Sequence, residues 1–154
     1  MERIWKMGLI LDPELDRSYI EQLCDIDRIS FQSEPFQNAL EWAKQKPWMY
    51  SVLRRGNDVL GYTLIMPLRK NAYESIKKGR MWETEISVID IDNTHPEGFY
   101  LASIASARIT RNRFPFINGI LCGIAGGQLE RASLEIMAIP VTRVGQKITT
   151  KFKN

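Results

Sequence analysis

Arg108, Arg111, Asn112 and Arg113 bring three guanidiniums and an amide together in one short stretch. Guanidinium forks donate several N–H groups in one plane and suit phosphate oxygens, so this stretch can bind a phosphorylated ligand. The same residues also read as a solvated turn before a helix started by Pro115, since proline fits a first helical turn. The residues alone leave both readings open. His95 is the chain's one histidine, and histidine is the side chain whose ordinary pKa lies near neutrality. It precedes Pro96 and is read as a loop residue. Cys24 and Cys122 lie far apart and outside any Cys-x-x-Cys pattern. They are expected to be reduced, buried thiols that pack as small hydrophobes. With so few soft ligands, no metal site is expected.

Elements must hold such groups in place, and the periodicities define them. Trp5 to Leu11 is apolar and is ended by Asp12-Pro13, which predicts a short first strand. Tyr19, Ile20, Leu23 and Ile26 form one face of a helix over 16–27. A loop follows over 30–36, because Pro35 disfavours helix at the residue before it. A second helix is predicted over 38–46, stopped by Pro47. Strands over 49–54 and 59–67 flank Gly56-Asn57-Asp58 and read as a hairpin. A short helix over 71–78 ends at Gly79. The near-continuous apolar run over 98–106 predicts a central strand buried on both faces. A long helix over 116–131, a buried strand over 134–141 and a closing helix over 144–152 complete the chain. The order is β, α, α, β, β, α, β, α, β, α. It predicts an α/β fold with a mixed, mostly antiparallel sheet and helices on both faces.

The chain has 154 residues, 44% of them apolar and 25% charged. This is one domain's worth, able to bury a core without disulfides or a structural metal. The formal net charge is +3, with both signs well mixed, so duplex-binding proteins with their basic stripe are set aside. A mild positive balance suits an anionic small ligand. The residues after Met1 are not expected to act as a secretory leader, and no stretch has 18 apolar residues. A cytoplasmic protein without membrane or nucleic-acid partners is expected.

Several strings resemble the GNAT N-acyltransferases. Gly61-Tyr62-Thr63-Leu64-Ile65-Met66-Pro67-Leu68 resembles the family's third strand. Lys70 to Gly79 resembles a short helical insertion of one GNAT-like subgroup. Tyr100-Leu101-Ala102-Ser103-Ile104-Ala105 resembles the fourth strand. Ile139-Pro140-Val141-Thr142 with Gly145, Ile148 and Lys151-Phe152 resembles the fifth strand and last helix. The loop around Phe31 and Pro35-Phe36 resembles the one between the first two helices. Together these pieces span about Ile10 to Phe152, within one domain over 1–154. The family's strand after the last helix is absent, supplied by a partner, or lies beyond Asn154.

The resemblance implies acetyl-CoA, or another acyl-CoA, in a cleft between the fourth and fifth strands. Backbone groups of Leu101, Ala102, Ser103 and Ile104 would pair with its pantetheine amides. The pyrophosphate would meet the next loop, where the family carries a glycine-rich turn before a helix. Matching places the first motif position on Arg111 and the two glycine positions on Phe114 and Phe116. Pro115 lies between them and has no N–H. No glycine occurs between Gly98 and Gly119, so Arg108, Arg111, Asn112 and Arg113 would have to hold the phosphates. Thr149 takes the place of the family's tyrosine acid. Glu34, Glu83 and Glu85 are acidic candidates near the acceptor side, and Trp48, Tyr62, Trp82 and Tyr100 are candidates to line the pocket. The expected function is acyl transfer from acyl-CoA to a small-molecule or protein amine. The alternative is a GNAT-like domain without transfer, acting as a binding or regulatory module. An open sheet edge would then receive a protein partner or a second copy.

Overall fold

The computed structural model describes residues 8–35, 37–107, 110–130 and 135–138. Strands β1 (Leu9–Asp12), β2 (Tyr50–Arg55), β3 (Asp58–Leu68), β4 (Gly98–Ser106) and β5 (Ile136–Met137) form one sheet in sequence order. Neighbours from β1 to β4 are antiparallel, and β5 runs parallel to β4. Helices α1 (Ile20–Phe31), α2 (Gln37–Gln45), α3 (Lys70–Lys77) and α4 (Thr110–Glu130) cover it. The expected mixed, mostly antiparallel α/β sheet is what forms.

The β2–β3 hairpin closes on the Arg55–Asp58 pair. Its turn is Gly56-Asn57, with Gly56 at φ 57°, a left-handed value that glycine adopts without steric cost. Gln22 of α1 clamps this turn. Its amide donates to the Asn57 carbonyl at 2.9 Å and its carbonyl accepts from the Val59 N–H at 2.9 Å. Every residue of β3 after Asp58 is buried, as a central strand covered on both faces requires.

The two faces carry separate cores. Tyr62, Leu64, Met66 and Leu68 of β3 point toward α1, α2 and α3, where Leu23, Ile26, Trp42 and Tyr73 are buried. On the other face, Leu9, Leu53 and Leu60 pack on Ile117 and Leu121 of α4. Ile65 and Leu101 pack on Ala125. The α4 face also holds polar locks. Ser106 donates to Asn118 at 2.9 Å, Gln128 donates to Ser51, and Thr63 donates to Gln128 at 3.4 Å. Trp42 donates its indole N–H to the Ile86 carbonyl at 2.9 Å. That bond ties α2 to the two 3-10 turns, Glu83–Glu85 and Val88–Asp90, that precede β4.

The sheet's pairing is interrupted twice. Leu53 pairs with Gly61 while Arg54 pairs with Val59, leaving Leu60 as a bulge in β3. Leu64 pairs with Ser103 while Ile65 pairs with Leu101, leaving Ala102 as a bulge in β4. Each extra residue shifts the alternation of side chains between the faces.

Several boundaries differ from the sequence expectations. The first strand is Leu9–Asp12 after Gly8 at φ 68°, and residues 5–7 of the expected strand lie outside the described residues. Helix α1 opens with a 3-10 turn over Arg17–Tyr19, capped by Asp16 accepting from the Ser18 N–H at 2.9 Å. It then runs to Phe31, so Ser30 and Phe31 are helical rather than loop. Pro35 constrains only the residue before it, and Gln32 at φ 54° ends the helix instead. Helix α4 begins at Thr110, not at Phe116. Arg111, Asn112 and Arg113 therefore lie in its first turn, and Pro115 sits beyond the four positions whose N–H groups have no intrahelical partner. Of the strand expected over 134–141, Ile136–Met137 is seen, and residues 134 and 139–141 lie outside the described residues. The helix expected over 144–152, with Thr149, and the residue Arg108 lie outside the described residues.

Candidate functional site

Strand β4 has β3 along one side for its whole length. On its other side β5 pairs, among the described residues, with Phe99 and Tyr100. From Leu101 to Ser106, no strand among the described residues takes up that side. Strand backbone directs alternate N–H and C=O groups to each side, so this stretch offers hydrogen-bonding groups to a ligand. The bulge at Ala102 falls just past the described pairing with β5. A bulge bends its strand and frees the extra residue from the ladder. Leu101, Ala102, Ser103 and Ile104, the residues expected to meet the pantetheine, are this segment. Leu101 is buried and the other three are half-buried.

Helix α4 starts just beyond the end of β4. Its first-turn N–H groups, from Thr110 to Arg113, carry the partial positive charge of a helix N-terminus. The substitution of phenylalanines and proline for the glycine turn therefore does not remove these donors, since Pro115 lies past them. Arg111, Asn112 and Arg113 reach the site by backbone position.

On the α1 side of β4 lie two carboxylates, each bonded to a tyrosine. Tyr62 of β3 donates its hydroxyl to Asp27 of α1. Ser103 of β4 donates to the Tyr62 oxygen at 3.3 Å. Tyr100 of β4 donates to Glu83 at 2.6 Å. The bulge places Ser103 on this face: Ser103 meets Tyr62, while Leu101 and Ile104 face α4. Burial pushes Asp27 up to about 6, with the Tyr62 hydrogen bond opposing the rise. Burial also raises Glu83 above the usual carboxylate range, against the Tyr100 hydrogen bond and with help from the Asp27 charge. The same burial, with the Asp27 charge second, lifts Tyr62 well above an ordinary phenol. Neither carboxylate forms an ion pair among the described residues.

The structure sorts the remaining sequence candidates. Glu83 joins the site. Glu34 is exposed and pairs with Arg28 at 2.8 Å. Glu85 is exposed and accepts from the Trp82 N–H at 2.7 Å, a local cap of its own turn. Tyr62 and Tyr100 are buried members of the two pairs. Trp48 is half-buried against the core, whereas Trp82 is 79% exposed and lines no interior. His95 is exposed, with its backbone N–H on Asp92 at 3.2 Å. Cys24 and Cys122 are half-buried rather than fully buried, and neither is in a disulfide. Asp27 was not singled out in the sequence. Its signal was present: it stands four residues after Leu23, continuing an otherwise apolar stripe.

No family model matches the chain, and no curated protein does. Solved structures do match. Naa50 of Arabidopsis thaliana, in complex with the bisubstrate analogue CoA-Ac-MVNAL, superposes with a TM-score of 0.61 at 12% identity, over 95% of this chain and 82% of that one. The fold is the GNAT N-acyltransferase fold. The loading GNATL domain of CurA from Lyngbya majuscula gives a TM-score of 0.63 at 10% identity, over 88% of this chain and 66% of that domain. Ard1 from Thermoplasma volcanium gives 0.61 at 11% identity, over 95% and 82%. At these identities the likeness carries the GNAT architecture, while substrates are argued from the residues.

Proposed function

We propose that the protein is an acyl-CoA-dependent N-acyltransferase whose acyl-CoA lies along the open side of β4. The observation that carries this reading is the bulge at Ala102, placed where the described pairing of β5 with β4 ends, within a GNAT fold. The residues present fit the ligand's chemistry. Leu101 to Ile104 supply backbone partners for the pantetheine amides. The first turn of α4 supplies N–H groups and helix-end charge for the pyrophosphate, with Arg111 and Arg113 on that turn. When bound, acyl-CoA supplies an activated thioester carbonyl, and a β4 N–H at the bulge would polarise its oxygen. The half-buried carboxylates Asp27 and Glu83 stand on the acceptor side, where an amine must lose a proton. Glu34 and Glu85 fit this role less well, being tied to Arg28 and to Trp82.

The absence of glycine from 99 to 118 supports a second reading, a GNAT-like binding module without transfer. In that reading a protein partner or second copy adds at the open side of the sheet. Isothermal titration separates the two. The transferase reading expects acetyl-CoA to bind with micromolar affinity, desulfo-CoA nearly as well, and ADP weakly. Arg111→Ala should weaken acetyl-CoA about tenfold, the loss of one charge-assisted phosphate contact. No binding by acetyl-CoA or longer acyl-CoAs at millimolar concentration sinks the transferase reading.

A further inference from the structure

Ser103, Tyr62 and Asp27 form one unbroken hydrogen-bond chain from the β4 bulge into helix α1. Its direction is uniform. Ser103 donates to Tyr62 at 3.3 Å, and Tyr62 donates to Asp27. Ser103 is half-buried on β4, Tyr62 is 3% exposed, and Asp27 lies beneath them on α1. Because both hydroxyl protons point inward, Ser103 Oγ keeps its lone pairs for a donor arriving from the open side of β4. Such a donor is what an ammonium acceptor presents. The chain ends on a carboxylate with no ion-pair partner among the described residues, so an arriving proton meets an unneutralised charge.

We propose that Ser103, Tyr62 and Asp27 act as a proton relay that deprotonates the acceptor amine, with Asp27 as its terminal base. This inference rests on the acyltransferase reading above. The ammonium gives a proton to Ser103 Oγ, the Ser103 proton passes to Tyr62, and the Tyr62 proton passes to the Asp27 carboxylate. The free amine then forms its N–C bond at the thioester carbonyl. The C–S bond breaks, and the thiolate takes the second proton from the nitrogen. Asp27 returns its proton to solvent along the same chain, so the cycle releases one proton and needs no other reactant. Tyr62 never needs to exist as a free phenolate, because it gains and loses a proton together. Asp27 is faced by Cys24 on its own helix, Tyr50 on β2, Tyr62 on β3 and Glu83 from the first 3-10 turn. None of these is a cation, which keeps the carboxylate basic. Glu83 is bonded to Tyr100 and has no such connection to Ser103.

The test uses the full chain with acetyl-CoA, and with spermidine, phenethylamine and a free N-terminal peptide as acceptors. Asp27→Asn keeps an oxygen for the Tyr62 hydroxyl but cannot take a proton. It should lower kcat about 100-fold, the low end of general-base effects, while KM for acetyl-CoA changes less than twofold. Tyr62→Phe and Ser103→Ala should do the same. Wild-type kcat should rise through an acid limb that is missing in Asp27→Asn. If Asp27→Asn retains kcat and that limb, the relay is overturned while the acyltransferase reading stands. If acetyl-CoA does not bind at all, both fall. A carbon-13 titration of the Asp27 carboxyl needs no turnover. Ser103→Ala weakens the bond Tyr62 makes to the carboxylate, so the Asp27 midpoint should move up, and saturating acetyl-CoA should move it too. A midpoint indifferent to both overturns the relay.

Discussion

Asp27→Asn should stabilise the protein at neutral pH even as it removes a functional group. Asp27 has its pKa pushed from 3.8 to about 6 by burial. Between those values the folded state binds more protons than the unfolded one, so stability falls as pH rises through that window. The full rise corresponds to about 3 kcal/mol lost by pH 7.5. Asparagine is neutral throughout and can still accept from Tyr62. Its amide N–H groups need partners, which costs about 1 kcal/mol if one is left unmade. The net expectation is a gain of roughly 1 to 3 kcal/mol at pH 7.5, shrinking to zero or slightly below at pH 4. Urea unfolding followed by tryptophan fluorescence at pH 4, 5.5 and 7.5 measures it directly. If the variant and wild type differ equally at all three values, Asp27 is not desolvated as described. A loss at pH 7.5 larger than at pH 4 would refute the reasoning outright.

Other perturbations follow from the same contacts. A Cβ at Gly61 would stand 2.6 Å from the Ala105 carbonyl oxygen and from Leu121 Cδ1, and 3.2 Å from Ser106 Cα. Gly61→Ala should therefore cost about 2 to 3 kcal/mol and lower Tm by roughly 8 °C in a thermal scan. Tyr73 is buried, and its hydroxyl has no hydrogen-bond partner among the described residues. Tyr73→Phe should leave stability unchanged or raise it by up to about 1 kcal/mol in urea unfolding. Trp42→Phe removes the bond to the Ile86 carbonyl and some core volume. It should cost about 2 kcal/mol and speed amide exchange across residues 83–91 before anywhere else.

The architecture was legible because its signals are local. The Gly56-Asn57 turn sets the hairpin, and the apolar run over 98–106 sets β4 with the bounds the sequence predicted. The helix starts were harder. Pro115 suggested a first turn, but the helix begins at Thr110 and Pro115 is its sixth residue. That shift changes the stretch from a loop that loses one backbone donor at Pro115 to a helix end with four N–H groups. The bulge at Ala102 leaves no mark in the sequence, since it depends on how β4 registers against β3. It also decides which side chains share a face, so the Ser103–Tyr62–Asp27 chain was out of reach. Glu83 was among the acidic candidates, but Asp27 passed as one polar position on a helix.

The central claim is that acyl-CoA lies along β4 from Leu101 to Ile104 with its phosphates at the first turn of α4. Backbone amide shifts, followed by nuclear magnetic resonance as acetyl-CoA is added, test it most directly. The account predicts the largest changes at Leu101 to Ile104 and at Thr110 to Arg113, with smaller ones at Tyr62 and Asp27. Changes confined to another surface, or no changes at saturating acetyl-CoA, would contradict it.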